Sequence, residues 1–140
     1  MNTRKKLDLS SLHQALITLR VAVDERQKDS HNEFVRDAMI QRFEYTYELA
    51  HKMLKRYLEL SEPNRESIDL MSFPDLIRTA SERGLVRHGW DHWARYRDAR
   101  NTTSHTYHEE KAISICMMIP TFLDEAEYLA EILEKNSQDL

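Results

Sequence analysis

"SHNEFVRDAMIQRFEYTYELAHKMLKRYLEL", Ser30 to Leu60, continues for 31 residues without a glycine or proline. It opens on a capping-box pattern, with Ser30 as the N-cap and Glu33 placed to reach back. Apolar side chains then recur on two neighbouring helical stripes, Val35-Met39-Phe43-Ala50-Met53-Tyr57 and Ile40-Tyr47-Leu54-Leu58. At 1.5 Å per residue the helix is about 45 Å long. Two stripes are more than a helix needs when it lies on one partner, so this segment predicts the central member of a helical bundle.

The flanking sequence supplies the other members. Leu9, Leu12, Leu16, Leu19 and Val23 recur behind the caps Asp8 and Ser10, predicting a first helix to about Gln27. "SEPNRES" (61–67) reads as a turn. "SFPDLIRTASERG" (72–84) reads as a short helix, with Ser72 capping, Pro74 in the first turn and Gly84 as the stop. After the link "GLVRHG", the residues Trp90, Trp93 and Tyr96 predict a fourth helix to about Asn101. Thr106 with Glu109 forms a second capping-box pattern. It opens a last helix through Ile113, Met117, Phe122, Ala126 and Leu129 to about Leu133, with a kink expected at Pro120 and a polar tail after Lys135. The reading is all-α: one domain over residues 1–140, an up-and-down bundle of about five helices.

Composition agrees. With 31% charged and 41% hydrophobic residues, two glycines and three prolines, the chain suits helices better than a turn-rich sandwich. No apolar run approaches the roughly 20 residues that span a bilayer, and the N-terminus lacks an apolar signal core, so a cytoplasmic protein is expected. Cys116, the single cysteine, lies in "AISICMMI" and reads as a packed hydrophobe. The net charge of −4 is unevenly spread: from Leu76 to His108, six arginines face three acids, a local +3 that leaves −7 elsewhere. Trp90, Trp93, Tyr96 and Tyr107 are interleaved with this basic stretch, a surface type able to hold phosphates and stack bases, or else a solvated helix face over core aromatics.

Seven histidines raise the question of a metal, but only His88 and His92 have two-ligand spacing, and no further pattern completes a site, so none is expected. Gly84 and Gly89 belong to no phosphate loop. Glu44 and Glu48, one turn apart, read as an ion-paired stripe with Arg42 and Lys52 rather than as catalytic carboxylates. "RNTTSHTY" (100–107) is different, because it gathers a guanidinium, an imidazole and a phenol. On an unbroken helix Arg100 and His105 would point roughly 140° apart. If one helix stops near Asn101 and the next starts near Thr106, both can face one anion site beside a positive helix N-terminus. Histidine moves protons near neutral pH and arginine offers a fork of donors to a phosphate, which together meet the minimal needs of RNA cleavage through the 2′-hydroxyl.

"RNTTSH" fits the Arg-x4–6-His signature of HEPN domains, and with Tyr107 it resembles the Arg-x4-His-x-Tyr form of the HepT-type toxins, grouped with nucleotidyltransferase substrate-binding proteins. "RDAMIQRFEYTYELAHKMLKRYL" (36–58) and "RTASERGLV" (78–86) resemble the family's segments in the same order, except that His51 stands where a bulky aromatic is expected. The resemblance implies a HEPN bundle that dimerises around a common cleft. It also implies a partner, a minimal nucleotidyltransferase (MNT), that acts as antitoxin by transferring AMP to the motif tyrosine. Carried over by position, Arg100 and His105 are catalytic, Asn101 is a polar helper and Tyr107 accepts AMP. Arg95, Arg97, Thr103 and Ser104 are the candidate RNA contacts. No cofactor is implied for this chain; ATP and magnesium serve the partner.

Two functions follow from the resemblance: a metal-independent ribonuclease toxin acting on RNA, with tRNA a candidate target, or a non-catalytic subunit presenting substrate to the nucleotidyltransferase. A homodimer is expected with either, since one motif supplies one histidine, and since the helices of 30–60 and 90–101 carry more apolar surface than a small bundle can hide.

Overall fold

The computed structural model describes residues 7–140 and contains six α-helices and one 3-10 turn: α1 Ser10–Lys28, α2 Glu33–Ser61, α3 Arg65–Asp69, α4 Phe73–Glu82, α5 Trp90–Asn101, the turn Thr103–His105, and α6 Glu109–Ser137. Among the described residues there is no strand. The long central helix is α2, which packs against α1, α5 and α6. Both predicted stripes are inside: Met39, Ile40, Phe43, Tyr47, Ala50, Leu54, Tyr57 and Leu58 are buried, with only Val35 and Met53 at the margin. None of the helices is long and apolar enough to cross a membrane.

Helix ends differ from the capping predictions where two candidate caps compete. The start of α2 is capped by Asn32, whose Oδ1 accepts from Phe34 N and Val35 N at 2.9 and 3.2 Å, two residues beyond Ser30. Asn and Ser cap comparably well, and the turn at 29–32 decides between them. Ser72 does cap α4, accepting from Asp75 N at 3.3 Å, and Gly84 ends it with φ +71°, the left-handed conformation only glycine adopts at little cost. "SEPNRES" is more than a turn, since it enters the five-residue α3, whose Ile68 is buried. Pro120 lies inside an α6 that remains helical throughout. The expected tail after Lys135 is shorter: α6 continues to Ser137, and Leu140 packs back on the core.

Phe122 of α6 is the centre of the interior. Its ring meets Phe43 at 5.0 Å edge-on, Tyr96 at 5.3 Å, Tyr47 at 6.1 Å and Trp93 at 6.2 Å, so α2, α5 and α6 share one aromatic cluster. Burial pushes the Tyr47 phenol up to about 12 and raises that of Tyr96 further, which leaves both neutral core members. Cys116 is buried and its thiol is pushed up to about 11, in keeping with a packed hydrophobe.

One charged group belongs to this interior. Glu125 is 1% exposed, and its Oε1 accepts from Arg87 N at 3.0 Å, His88 N at 3.2 Å and Trp93 Nε1 at 3.1 Å. The 84–89 link and the first turn of α5 therefore hang on one carboxylate of α6. Surplus apolar surface is found on α2 as expected, where Phe34 is 86% exposed and Tyr45 is also exposed, but not on α5, where Trp93 and Tyr96 are fully buried. More lies on α1, where Ile17 and Val21 are exposed, and on α6, where Ile113 and Met117 are exposed.

Candidate functional site

The end of α5 and the turn after it carry the motif. Thr102 ends the helix: its N–H donates to Asp98 O and Ala99 O, and its hydroxyl lies 3.0 Å from Ala99 O, so it competes with the helix for its last carbonyls. A 3-10 turn follows, with His105 N donating to Thr102 O at 3.0 Å. The straight-helix geometry that would separate Arg100 from His105 is thus broken between them, as a shared anion site requires. Arg100 sits in the last turn of α5 and His105 closes the 3-10 turn.

Arg100 is gripped from α2. Its Nε donates to Glu48 Oε1 at 2.7 Å, a short charge-assisted bond. Glu44, one turn earlier, accepts from Thr103 Oγ1 at 2.5 Å, and the same hydroxyl lies 2.9 Å from Arg100 O. The two acids therefore do not pair with Arg42 and Lys52. Arg42 instead donates to Thr18 O at 2.8 Å, tying α2 to α1.

His105, Asn101, Ser104 and Tyr107 all reach solvent, Tyr107 being 77% exposed. The Tyr107 ring lies 6.2 Å from that of His105 and 4.4 Å from that of His108. Thr103 is buried with its hydroxyl committed, so it serves the turn and offers RNA nothing. The two flanking arginines separate. Arg97 lies one turn before Arg100 on α5, and its charge acts on Tyr47 and His51. Arg95 lines a groove of about 490 Å³ on the other side of α5, with Ala99, Thr102, Lys111, Ile115 and Met118.

Two expectations about charge change. The last helix begins at Glu109 with His108 at its N-cap, not at Thr106, whose hydroxyl donates back to Thr103 O. Its first turn holds Glu109 and Glu110, so the positive helix end already faces its own carboxylates. His51 takes the place of the expected aromatic with its ring 4.1 Å from that of Phe73 and tilted 43° to it, and burial lowers its basicity. His88 and His92 stack at 4.1 Å with rings 10° from parallel.

Sequence reasoning missed Glu44, Glu48 and Glu125. The signal for the last was present: Glu125 stands three residues after Phe122 and four before Leu129, on the apolar stripe itself.

A family described as "Nucleotidyltransferase substrate binding protein like" matches residues 7–135. A protein of Haemophilus influenzae called "Probable ribonuclease HepT" is 38% identical over 141 residues, covering 95% of this chain and 96% of its own. Among solved structures, one from Haemophilus influenzae, described as revealing the fold of a substrate binding domain of a nucleotidyltransferase, superposes with a TM-score of 0.84 at 35% identity, covering 91% of this chain and 99% of the other. A protein of Thermus thermophilus superposes with a TM-score of 0.69 at 34% identity, covering 87% and 98%.

Proposed function

We propose that this chain, which belongs to the HepT-like family of nucleotidyltransferase substrate-binding proteins, is the ribonuclease toxin of a toxin–antitoxin pair and cleaves RNA without a metal ion. The observation that supports this reading is the break in helix geometry after Asn101, which leaves Arg100 in the last turn of α5 and a solvent-facing His105 at the end of the 3-10 turn that follows. In a homodimer with two such turns about the two-fold axis, one His105 takes the proton of a ribose 2′-hydroxyl as its oxygen attacks phosphorus. The bond to the 5′-oxygen breaks, and that oxygen takes a proton from the second His105. Arg100 carries the charge gained by the phosphoryl oxygens. Asn101 and Arg97 border the same path, Ser104 is open to the same solvent, and Arg95 is reached across α5.

The products follow from the chemistry: a 2′,3′-cyclic phosphate and a 5′-hydroxyl. The unmodified protein incubated with total RNA or tRNA is expected to leave those ends, with the rate unchanged by excess chelator. Products bearing 3′-hydroxyls would sink the mechanism. The family description and the nucleotidyltransferase-associated relative favour a second reading, a non-catalytic subunit that presents substrate to a nucleotidyltransferase. Intact RNA at high protein concentration would select it.

Tyr107 fits control better than catalysis. A phenol, with an ordinary pKa of about 10, is a poor base at neutral pH, yet this one is the most open aromatic ring of the site. An AMP linked to its oxygen by an MNT antitoxin would bring a phosphate to Arg100 and a purine into the cleft, excluding RNA. Tyr107→Phe is expected to retain cleavage and to resist inactivation by the partner with ATP and magnesium, with AMP found by mass spectrometry on the wild-type peptide alone. Full inhibition of the variant would show that the partner silences the protein by binding it.

A further inference from the structure

Glu44 and Glu48 stand one turn apart on α2, and each holds a different part of the Arg100–His105 segment. Glu48 takes Arg100 Nε at 2.7 Å; Glu44 takes the hydroxyl of Thr103, the first residue of the 3-10 turn that ends in His105. The Glu48 side chain is 55% exposed, and a pair this open adds little to stability. Its geometric effect is larger. A guanidinium is a planar fork, and fixing Nε sets the plane and aims the terminal nitrogens. Among the described residues no hydrogen bond engages Arg100 Nη1 or Nη2, so the edge suited to bidentate phosphate contact is left free.

A carboxylate beside a phosphate site also repels the substrate. Here Arg97, one turn before Arg100 on α5 and without an ion pair among the described residues, joins Arg100 in balancing Glu48 and Glu44, so that the four together carry no net negative charge. We propose that Glu48 and Glu44 are positioning residues of the RNA-cleaving site: Glu48 orients the Arg100 guanidinium toward the scissile phosphate, and Glu44, through Thr103, fixes the turn that presents His105. This rests on the ribonuclease reading above.

The test separates orientation from charge and from folding. Glu48→Ala frees Arg100 and removes the repulsion, so kcat should fall about 10- to 100-fold while KM stays level or decreases. Glu48→Gln keeps an acceptor for Nε and should recover most of kcat. Glu44→Ala should lower kcat in the same way, with recovery in Glu44→Gln. Thermal unfolding should shift by less than about 2 °C in the Glu48 variants. The Arg100 Nε–H resonance, read by NMR without RNA, should be slow to exchange in the wild type and Glu48→Gln and lost in Glu48→Ala. Wild-type kcat in Glu48→Ala, an equal loss in Glu48→Gln, or a KM rise with kcat unchanged would overturn the proposal. A wild type that cleaves no RNA defeats the ribonuclease reading instead. The NMR signal then still tests the clamp, and its persistence in Glu48→Ala would overturn it.

Discussion

Replacing His105 by alanine is expected to lower RNA cleavage by about 10³-fold or more, from the middle of the range for losing a general acid–base group upward, because the same residue acts on both sides of the reaction. Folding should be untouched. The ring is exposed and meets Tyr107 only at 6.2 Å between centroids, while the bond that secures the turn comes from the His105 backbone N–H to Thr102 O. Truncating an exposed side chain of this kind changes stability by about 0.5 kcal/mol or less. Thermal unfolding of the variant alongside a gel assay on tRNA separates the two quantities. Mixed dimers sharpen the test. If each scission needs an imidazole from both protomers, a wild-type protomer paired with His105→Ala should be nearly as inactive as the double variant. Half the wild-type rate in the mixed dimer would show that each motif works alone. Undiminished cleavage by the homodimeric variant would remove His105 from the chemistry.

The fold was legible because the decisive signal is long. Thirty-one residues without glycine or proline and with two apolar stripes admit few structures besides a central helix, and both stripes proved to be interior. Short-range signals did less well. Ser30 and Asn32 are comparable caps two residues apart, and only the conformation of the turn chooses Asn32. Thr106 has a capping-box sequence yet spends its hydroxyl on Thr103 O, since it closes the 3-10 turn that ends at His105 instead of opening the next helix. The motif residues were legible as types at a spacing. The acids that hold them were not, because Glu48 and Glu44 lie 52 and 59 residues away along the chain from the groups they bind. A charge pair one turn apart on a helix has an ordinary local explanation in Arg42 and Lys52, and only the approach of α5 to α2 replaces it.

The buried carboxylate of Glu125 leads to the second large effect. Glu125→Ala is expected to destabilise the fold by about 3–5 kcal/mol, since it strands Arg87 N–H, His88 N–H and the Trp93 indole N–H in the interior and leaves a cavity behind them. For a chain of this size that corresponds to a fall in Tm of about 10 °C or more. Glutamine discriminates between the charge and the bonds. All three donors reach Oε1, at 3.0 to 3.2 Å, whereas Oε2 receives only the second branch of the Arg87 bond at 3.2 Å. An amide with its oxygen in the Oε1 position keeps every donor satisfied and sets one N–H₂ against Arg87 N–H, so Glu125→Gln should cost about 1 kcal/mol. The effect should also be local in origin. α5 follows Gly89 without a side-chain cap, and the bonds to Glu125 from the link just before it and from the Trp93 side chain in its first turn anchor that end instead. Hydrogen exchange in Glu125→Ala should therefore rise first from Arg87 through the first turn of α5, ahead of the α1–α2 hairpin. A Tm within about 3 °C of wild type in Glu125→Ala, or equal losses in the two variants, would show that burial of the surrounding aromatic rings holds α5 in place without the carboxylate.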